Sequence, residues 1–181
     1  MILKTADFLS INYGNYDFII NRYNIVGSIS YSGSQSLPFT AEYFNGLINY
    51  GEMKIISFDI DRFLSKVFKL NNIDKNEAKI SIIGDLKKSS YSNYKERFKE
   101  FILTQNIDCS PDLFSFLISF RSEVKRIEIR NLKIFPKILK NFYKNNGFLG
   151  CTFKDNNSIV FFIDIEKIIF DILLKGGIKN E

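Results

Sequence analysis

The sequence predicts a mainly β protein: many short strands and a few short helices, arranged as two similar subdomains that form barrels or a sandwich. Three observations predict it. Short segments alternate apolar and polar residues between turn signals, and the chain carries 19 Phe and 9 Tyr, residues that favour a pleated, half-buried surface. No stretch repeats the strand-helix-strand order of a parallel α/β sheet. One hairpin-to-helix pattern occurs twice.

The elements follow in order. Residues 8–13 alternate, with Leu9, Ile11 and Tyr13 on one face. Residues 16–21 alternate again, and Gly14-Asn15 between them is a two-residue hairpin signal of type II′. Residues 22–29 are short and mixed, open to a helical turn, and residues 30–36 are rich in Ser and Gly and read as a flexible stretch. Residues 43–50 and 53–59 read as strands joined at Gly51-Glu52. Asp61 suits the cap of a short helix carrying Phe63, Leu64, Val67 and Phe68 at helical spacing. Residues 78–83 form an apolar strand that stops at Gly84.

Residues 85–112 have a different character. Asn93-Tyr94-Lys95-Glu96 resembles a capping box, and Tyr94, Phe98, Phe101 and Ile102 then share one face. An inserted helix over about 93–105 is expected, presenting Lys95, Arg97 and Lys99 outward, either as a lineage-specific contact or as a lid over the core, the lid being favoured because Phe98, Phe101 and Ile102 need burial. Residues 113–120 and 124–130 read as paired strands, with Ile127 and Ile129 inward. Lys133, Lys137, Lys140 and Lys144 would line one face of a helix starting near Pro136. Residues 148–153 and 159–163 form a hairpin. A closing helix over 165–174 buries Ile165, Ile168, Ile169 and Ile172, and Gly176-Gly177 ends it.

The repeated pattern is Asp59-Ile60-Asp61-Arg62-Phe63-Leu64 and Asp164-Ile165-Glu166-Lys167-Ile168-Ile169. Each follows an apolar strand, and each strand is preceded by a partner containing a glycine, Gly46 or Gly150. The physical reading is a strand delivering an apolar face to a core, then an acid accepting from the free N–H groups of the coming helix.

At 181 residues the chain can bury a core without staples. Cys109 and Cys151 form no CxxC pair, so neither a disulfide framework nor a zinc site is expected, and a reducing compartment is the natural reading. The N-terminus lacks the pattern of a signal peptide and no apolar run reaches membrane length, so the expectation is a cytoplasmic protein without direct membrane insertion. The formal net charge of +5 permits contact with nucleic acid, but no Lys/Arg block is longer than two residues, and a solvated surface is the plainer reading. With no histidine, Ser-His-Asp and Cys-His systems and His-ligated metals are excluded. Neither a P-loop nor a GxGxxG occurs. Asp59/Asp61 and Asp164/Glu166 are the only notable carboxylate pairs, and their place at strand-to-helix junctions favours capping over Mg²⁺ binding or glycoside chemistry. The expectation is a non-enzyme with no catalytic residues, cofactor or metal.

Three blocks resemble the CheW-like domain family. Asp7-Phe8-Leu9-Ser10-Ile11-Asn12-Tyr13-Gly14, followed by Phe18-Ile19-Ile20, looks like its opening hairpin, leading to Ile25-Val26-Gly27-Ser28-Ile29. Gly46-Leu47-Ile48-Asn49-Tyr50-Gly51-Glu52-Met53-Lys54-Ile55-Ile56-Ser57-Phe58-Asp59-Ile60 is similar to its signature. Phe148-Leu149-Gly150 and residues 159–169 match its closing strand and helix. Residues 85–135 match poorly. The sequence departs from the pattern at the signature arginine, glycine and proline, which fall on Gly51, Glu52 and Ile56.

The resemblance implies two five-stranded SH3-like β-barrel subdomains with short helices in a single CheW-like domain. One subdomain would span about 22–80, the other about 7–21 plus 113–175, with 85–112 inserted. It implies a chemotaxis adaptor coupling methyl-accepting chemoreceptors to a CheA-type histidine kinase, recruited to receptor arrays at the membrane through its partners. Carried over by position, Ile25, Val26 and Ile29 fall on the kinase side. Asn49, Tyr50 and Ile56 fall on the receptor side, in the family's groove between subdomains. Core packing is the competing reading for the Ile and Val residues, and a turn aromatic covering the barrel is the competing reading for Tyr50. Two alternatives stand beside this one: a diverged adaptor that competes with a standard CheW, and a nucleic-acid-binding β-barrel protein. A small-ligand or enzyme module is a more remote third.

Overall fold

The computed structural model describes residues 7–13, 16–21, 25–37, 43–69, 79–89, 92–119, 123–126, 147–153 and 159–176. Among the described residues there are ten strands in two five-stranded sheets and three short helices. The strands are β1 (Asp7–Tyr13), β2 (Tyr16–Asn21), β3 (Ile25–Ser30), β4 (Phe44–Tyr50), β5 (Met53–Asp59), β6 (Lys79–Asp85), β7 (Leu113–Ser119), β8 (Glu123–Arg126), β9 (Phe148–Phe153) and β10 (Ile159–Ile163). The described helices are α1 (Ile60–Phe68), α2 (Ser92–Thr104) and α3 (Ile165–Gly176), and a 3-10 turn covers Leu86–Lys88.

The chain divides into two compact units, one of Met1–Tyr23 with Arg121–Ile168 and one of Asn24–Phe120 with Ile169–Glu181. The first holds the sheet β8-β1-β2-β10-β9. Its β1–β2 register, Tyr13 opposite Tyr16, leaves two residues for the connection, as the Gly14-Asn15 signal requires. β2 and β10 run parallel, setting Phe18 beside Phe161 with rings stacked at 5.7 Å. Ile19, Val160 and Phe162 form a second buried cluster, so these central strands bury apolar side chains at successive positions.

The second unit holds the sheet β3-β6-β7-β5-β4. Ile48, Ile55 and Ile83 centre one cluster, with Ile29, Tyr31, Tyr50 and Leu113 packed around it. On α2, Phe98 and Ile102 are buried, and Phe101 stacks on Phe44 at 5.8 Å. Phe44 in turn meets Phe58 of β5 at 4.8 Å, so α2 lies against this sheet's aromatic side chains as a lid requires. Farther along the chain, Phe170 of α3 stacks on Tyr94 of α2 at 4.0 Å.

The two sheets share one topology. Read in the order β3, β6, β7, β5, β4 and β8, β1, β2, β10, β9, every neighbour pair matches in sense: antiparallel, antiparallel, parallel, antiparallel. The first unit is thus a circular permutation of the second, with β1–β2 taking the places of β6–β7. The sequence echo lies at equivalent positions. The β4–β5 register shifts between Phe44 and Gly46, and the β9–β10 register shifts between Phe148 and Gly150. Asp59 N–H donates to the Tyr43 carbonyl at 2.8 Å, and Asp164 N–H to the Gly147 carbonyl at 2.7 Å.

The expected two five-stranded sheets with short helices are found, and among the described strands neither sheet closes into a barrel. Other expectations are corrected. In the second sheet, a lone bridge between Gln35 and Leu47 ties the chain after β3 to edge strand β4. That bridge is made in both directions at 2.8 Å, so residues 30–36, expected to be flexible, are held to the sheet at Gln35. Gly46 permits it: its φ is +115°, and a Cβ there would stand 2.3 Å from the Gln35 carbonyl oxygen. Residues 25–30 are a strand rather than a helical turn, because they run antiparallel to β6 and every second residue can turn its N–H and C=O to that strand. β7 does not pair with β8. It sits between β6 and β5, buried from Phe114 to Ser119, while β8 pairs with β1. The subdomain boundary expected near 113 therefore moves past β7.

Helix starts also differ. α1 is capped by Asp59, whose carboxylate accepts from Arg62 N–H at 2.9 Å, while Asp61 lies inside the helix and is buried. α2 already includes Asn93, so the box does not cap it there. The expected Lys-lined helix near Pro136, the inward pair Ile127 and Ile129, and the terminator Gly177 lie outside the described residues.

Candidate protein-interaction surface

β3 is an edge strand, bonded to β6 on one side and to no other described strand. Its residues alternate half-buried and exposed along its length. Ile25, Gly27 and Ile29 fall in the half-buried set, and Val26, Ser28 and Ser30 in the exposed set. Ile29 packs on the Ile48, Ile55 and Ile83 cluster. Val26 points outward at 40% exposure. Ile25, Val26 and Ile29 therefore do not share a face.

On the opposite edge of the sheet, Asn49 is exposed and Tyr50 half-buried at the end of β4. Tyr50 belongs to the same apolar cluster as Ile29. Its hydroxyl reaches within 3.6 Å of where a Cβ on Gly27 would be, so the structure brings Tyr50 to β3. Ile56 is different. Paired with Leu47 and Phe114, it is fully buried, which leaves it no surface to offer a partner. A contact role for Ile56 is withdrawn, and its part is packing.

Sequence reasoning passed over Met53, which faces Tyr50 across the turn and is 46% exposed. Its signal was present: an unbranched apolar residue directly after the Gly51-Glu52 turn, where a polar residue is usual. Gly51 has a φ of +60°, a left-handed conformation that suits glycine. An arginine, which the CheW-like signature has at this position, would be strained there.

The electrostatics of this unit centre on Asp112. Lys87, Lys95 and Lys99 approach its carboxylate at 3.2, 3.5 and 3.7 Å. Burial works to raise its pKa, but the Lys87 hydrogen bond and the three ammonium charges outweigh it and hold the carboxyl below its ordinary value of 3.8. Two of the three cations expected to face outward from α2, Lys95 and Lys99, are thus engaged, while Arg97 is exposed. Burial, and then the charge of Asp108, push the Cys109 thiol up to about 11, so it is not a reactive thiolate.

One acid of each carboxylate pair is a helix cap, Asp59 in the first and Asp164 in the second. Asp59 also pairs with Lys79 at 3.4 Å, and Asp164 accepts from Lys167 N–H at 3.0 Å. Their companions Asp61 and Glu166 are buried at 1% and 3% exposure in the first helical turns, at equivalent points of the repeat. Among the described residues, no group of three or more His, Cys, Asp or Glu is placed to hold a metal ion. No described helix is long and apolar enough to cross a membrane.

No family model matches the chain, and no curated protein matches it. Among solved structures, the scaffolding protein TtCheW from Thermoanaerobacter tengcongensis matches with a TM-score of 0.58 and 13% identity, over 88% of this chain and 89% of that one. At that identity the likeness is one of fold: this chain is built as that scaffolding protein is built, two sheets with few short helices.

Proposed function

We propose that the chain is a non-enzymatic scaffolding adaptor of the CheW type, which joins chemoreceptors to a CheA-type histidine kinase through surface contacts alone. The observation that carries the reading is the full-length likeness to a CheW scaffolding protein, over nearly nine-tenths of both chains. The surface fits it: an outward Val26 on one edge strand, and Asn49, Tyr50 and Met53 around one turn on the other. In this reading Ile25, Val26 and Ile29 serve the kinase contact, with Ile29 setting the strand from behind. Asn49 and Tyr50 serve the receptor contact, with Met53 added to them. The protein would work in the cytoplasm, recruited to receptor arrays by its partners.

Gly51 favours a second form of the same reading. A family member without the signature arginine lacks a planar, bidentate donor at that turn. Such a member holds one partner and weakens the other, and so competes with a standard adaptor. Co-purification from cells under native conditions tests both forms. Recovery of a CheA-type kinase together with a chemoreceptor supports coupling. Recovery of the kinase alone supports competition. Recovery of neither removes the adaptor reading.

A further inference from the structure

The matched topology of the two units supplies an internal control. β3 and β8 hold the same place, the edge next to β6 in one sheet and next to β1 in the other. β8 reads Glu123-Val124-Lys125-Arg126, three charges in four residues. β3 reads Ile25-Val26-Gly27-Ser28-Ile29-Ser30 and has none. Charged residues on an edge strand are a common protection against pairing with another chain, and proline is another. β3 has neither.

The absence extends well beyond the strand. Residues 23–41 contain no Asp, Glu, Lys or Arg, although a quarter of the chain is charged, so about five would be expected in that length. No other charge-free run in the sequence is longer than nine residues. The other edges are less open to addition. The β4 edge is bonded at Leu47 to Gln35 in both directions, and β9, though uncharged, is followed at once by Lys154 and Asp155. Along β3 the outward positions are Val26, Ser28 and Ser30, one apolar anchor and two small side chains that let another backbone come close.

We propose that the edge of β3, which no described strand covers, receives an extended, uncharged segment of a partner protein as an added strand. Main-chain hydrogen bonds to β3 would supply affinity, and the alternate side chains meeting Val26 would supply specificity. A partner strand bearing charges would have to desolvate them against an edge with no counter-charge, which is why the occupant is an uncharged one. The proposal deepens the adaptor reading by giving its kinase-side contact a mode, and rests on that reading for the identity of the partner.

Amide hydrogen exchange on the full chain, free and with the regulatory domain of a CheA-type kinase, tests it. In the free chain, the β3 amides not bonded to β6 should exchange at least tenfold faster than those that are. Added kinase domain should slow those outward amides at least tenfold. Val26→Lys and Ser28→Lys should each weaken binding at least tenfold with unchanged circular dichroism, while Lys at Val124 of β8 should not. Outward amides already protected in the free chain overturn the proposal, because the edge is then covered. Kinase binding that leaves them unprotected overturns strand addition and keeps the adaptor reading. Absence of any kinase or receptor binding overturns both.

Discussion

At the residue scale, two glycines and one acid carry separable consequences. Gly84 lies opposite Phe114, and a Cβ there would stand 2.2 Å from the ring's Cζ. The ring is fully enclosed, so neither partner has room to yield. Gly84→Ala should therefore cost about 1–3 kcal/mol, read as a lowered urea midpoint. Gly51 has nothing within 4 Å of its would-be Cβ, so replacement there costs only the left-handed backbone, about 1 kcal/mol. Asp112 gives a pH-dependent counterpart. Its folded carboxyl is the stronger acid, so the unfolded chain binds more protons around the ordinary pKa. The stability it contributes is complete above the unfolded pKa and is lost as pH falls through the folded one. Its lysines are 33–62% exposed, so the contribution is small, below about 1 kcal/mol. Asp112→Asn should lower the urea midpoint at neutral pH, and the difference from the parent should vanish on the acid side of the folded pKa.

At the element scale, the duplicated strand-to-helix junction is the device that both units use. Each opens its helix with an acid accepting from the N–H three residues on, Asp59 from Arg62 and Asp164 from Lys167. Removing either cap with Ala should cost about 1 kcal/mol, measured by denaturant unfolding. Similar losses at the two sites would show the junctions doing equal work in the two units. This junction was legible in the sequence because acid, apolar and base fall in fixed order after an apolar strand. The β4–β5 hairpin was legible because Gly51-Glu52 separates two alternating runs. β3 was not, since Gly27 and the serines dilute the alternation, and a strand with one exposed edge needs few apolar residues. Ser57, Ser81 and Ser115 are polar residues inside strands, yet all are fully buried, and the Ser57 and Ser115 hydroxyls meet at 3.2 Å. The partners of β7 were hidden for another reason. A continuous apolar run announces burial on both faces but does not say which strands flank it.

At the scale of the whole molecule, the chain builds one topology twice by different routes. The second unit takes its five strands from a continuous run, β3 to β7, whereas the first combines the N-terminal hairpin with β8, β9 and β10. Non-local pairing such as β2 with β10 must close a long loop before it is rewarded. The second unit should therefore gain exchange protection earlier in refolding, which pulse-labelled hydrogen exchange would time. Sequence resemblance reached the fold, but position carried over from the family placed Ile56 in a contact role, while the side chain is fully buried. Titration of the regulatory domain of a CheA-type kinase with the parent chain and with Ile25→Asp tests the central claim most directly, since Ile25 is half-buried on the edge strand that the adaptor reading assigns to the kinase. The account predicts saturable binding by the parent and at least tenfold weaker binding by the variant, with unchanged circular dichroism. A parent that does not bind, or a folded variant that binds as tightly, would contradict it.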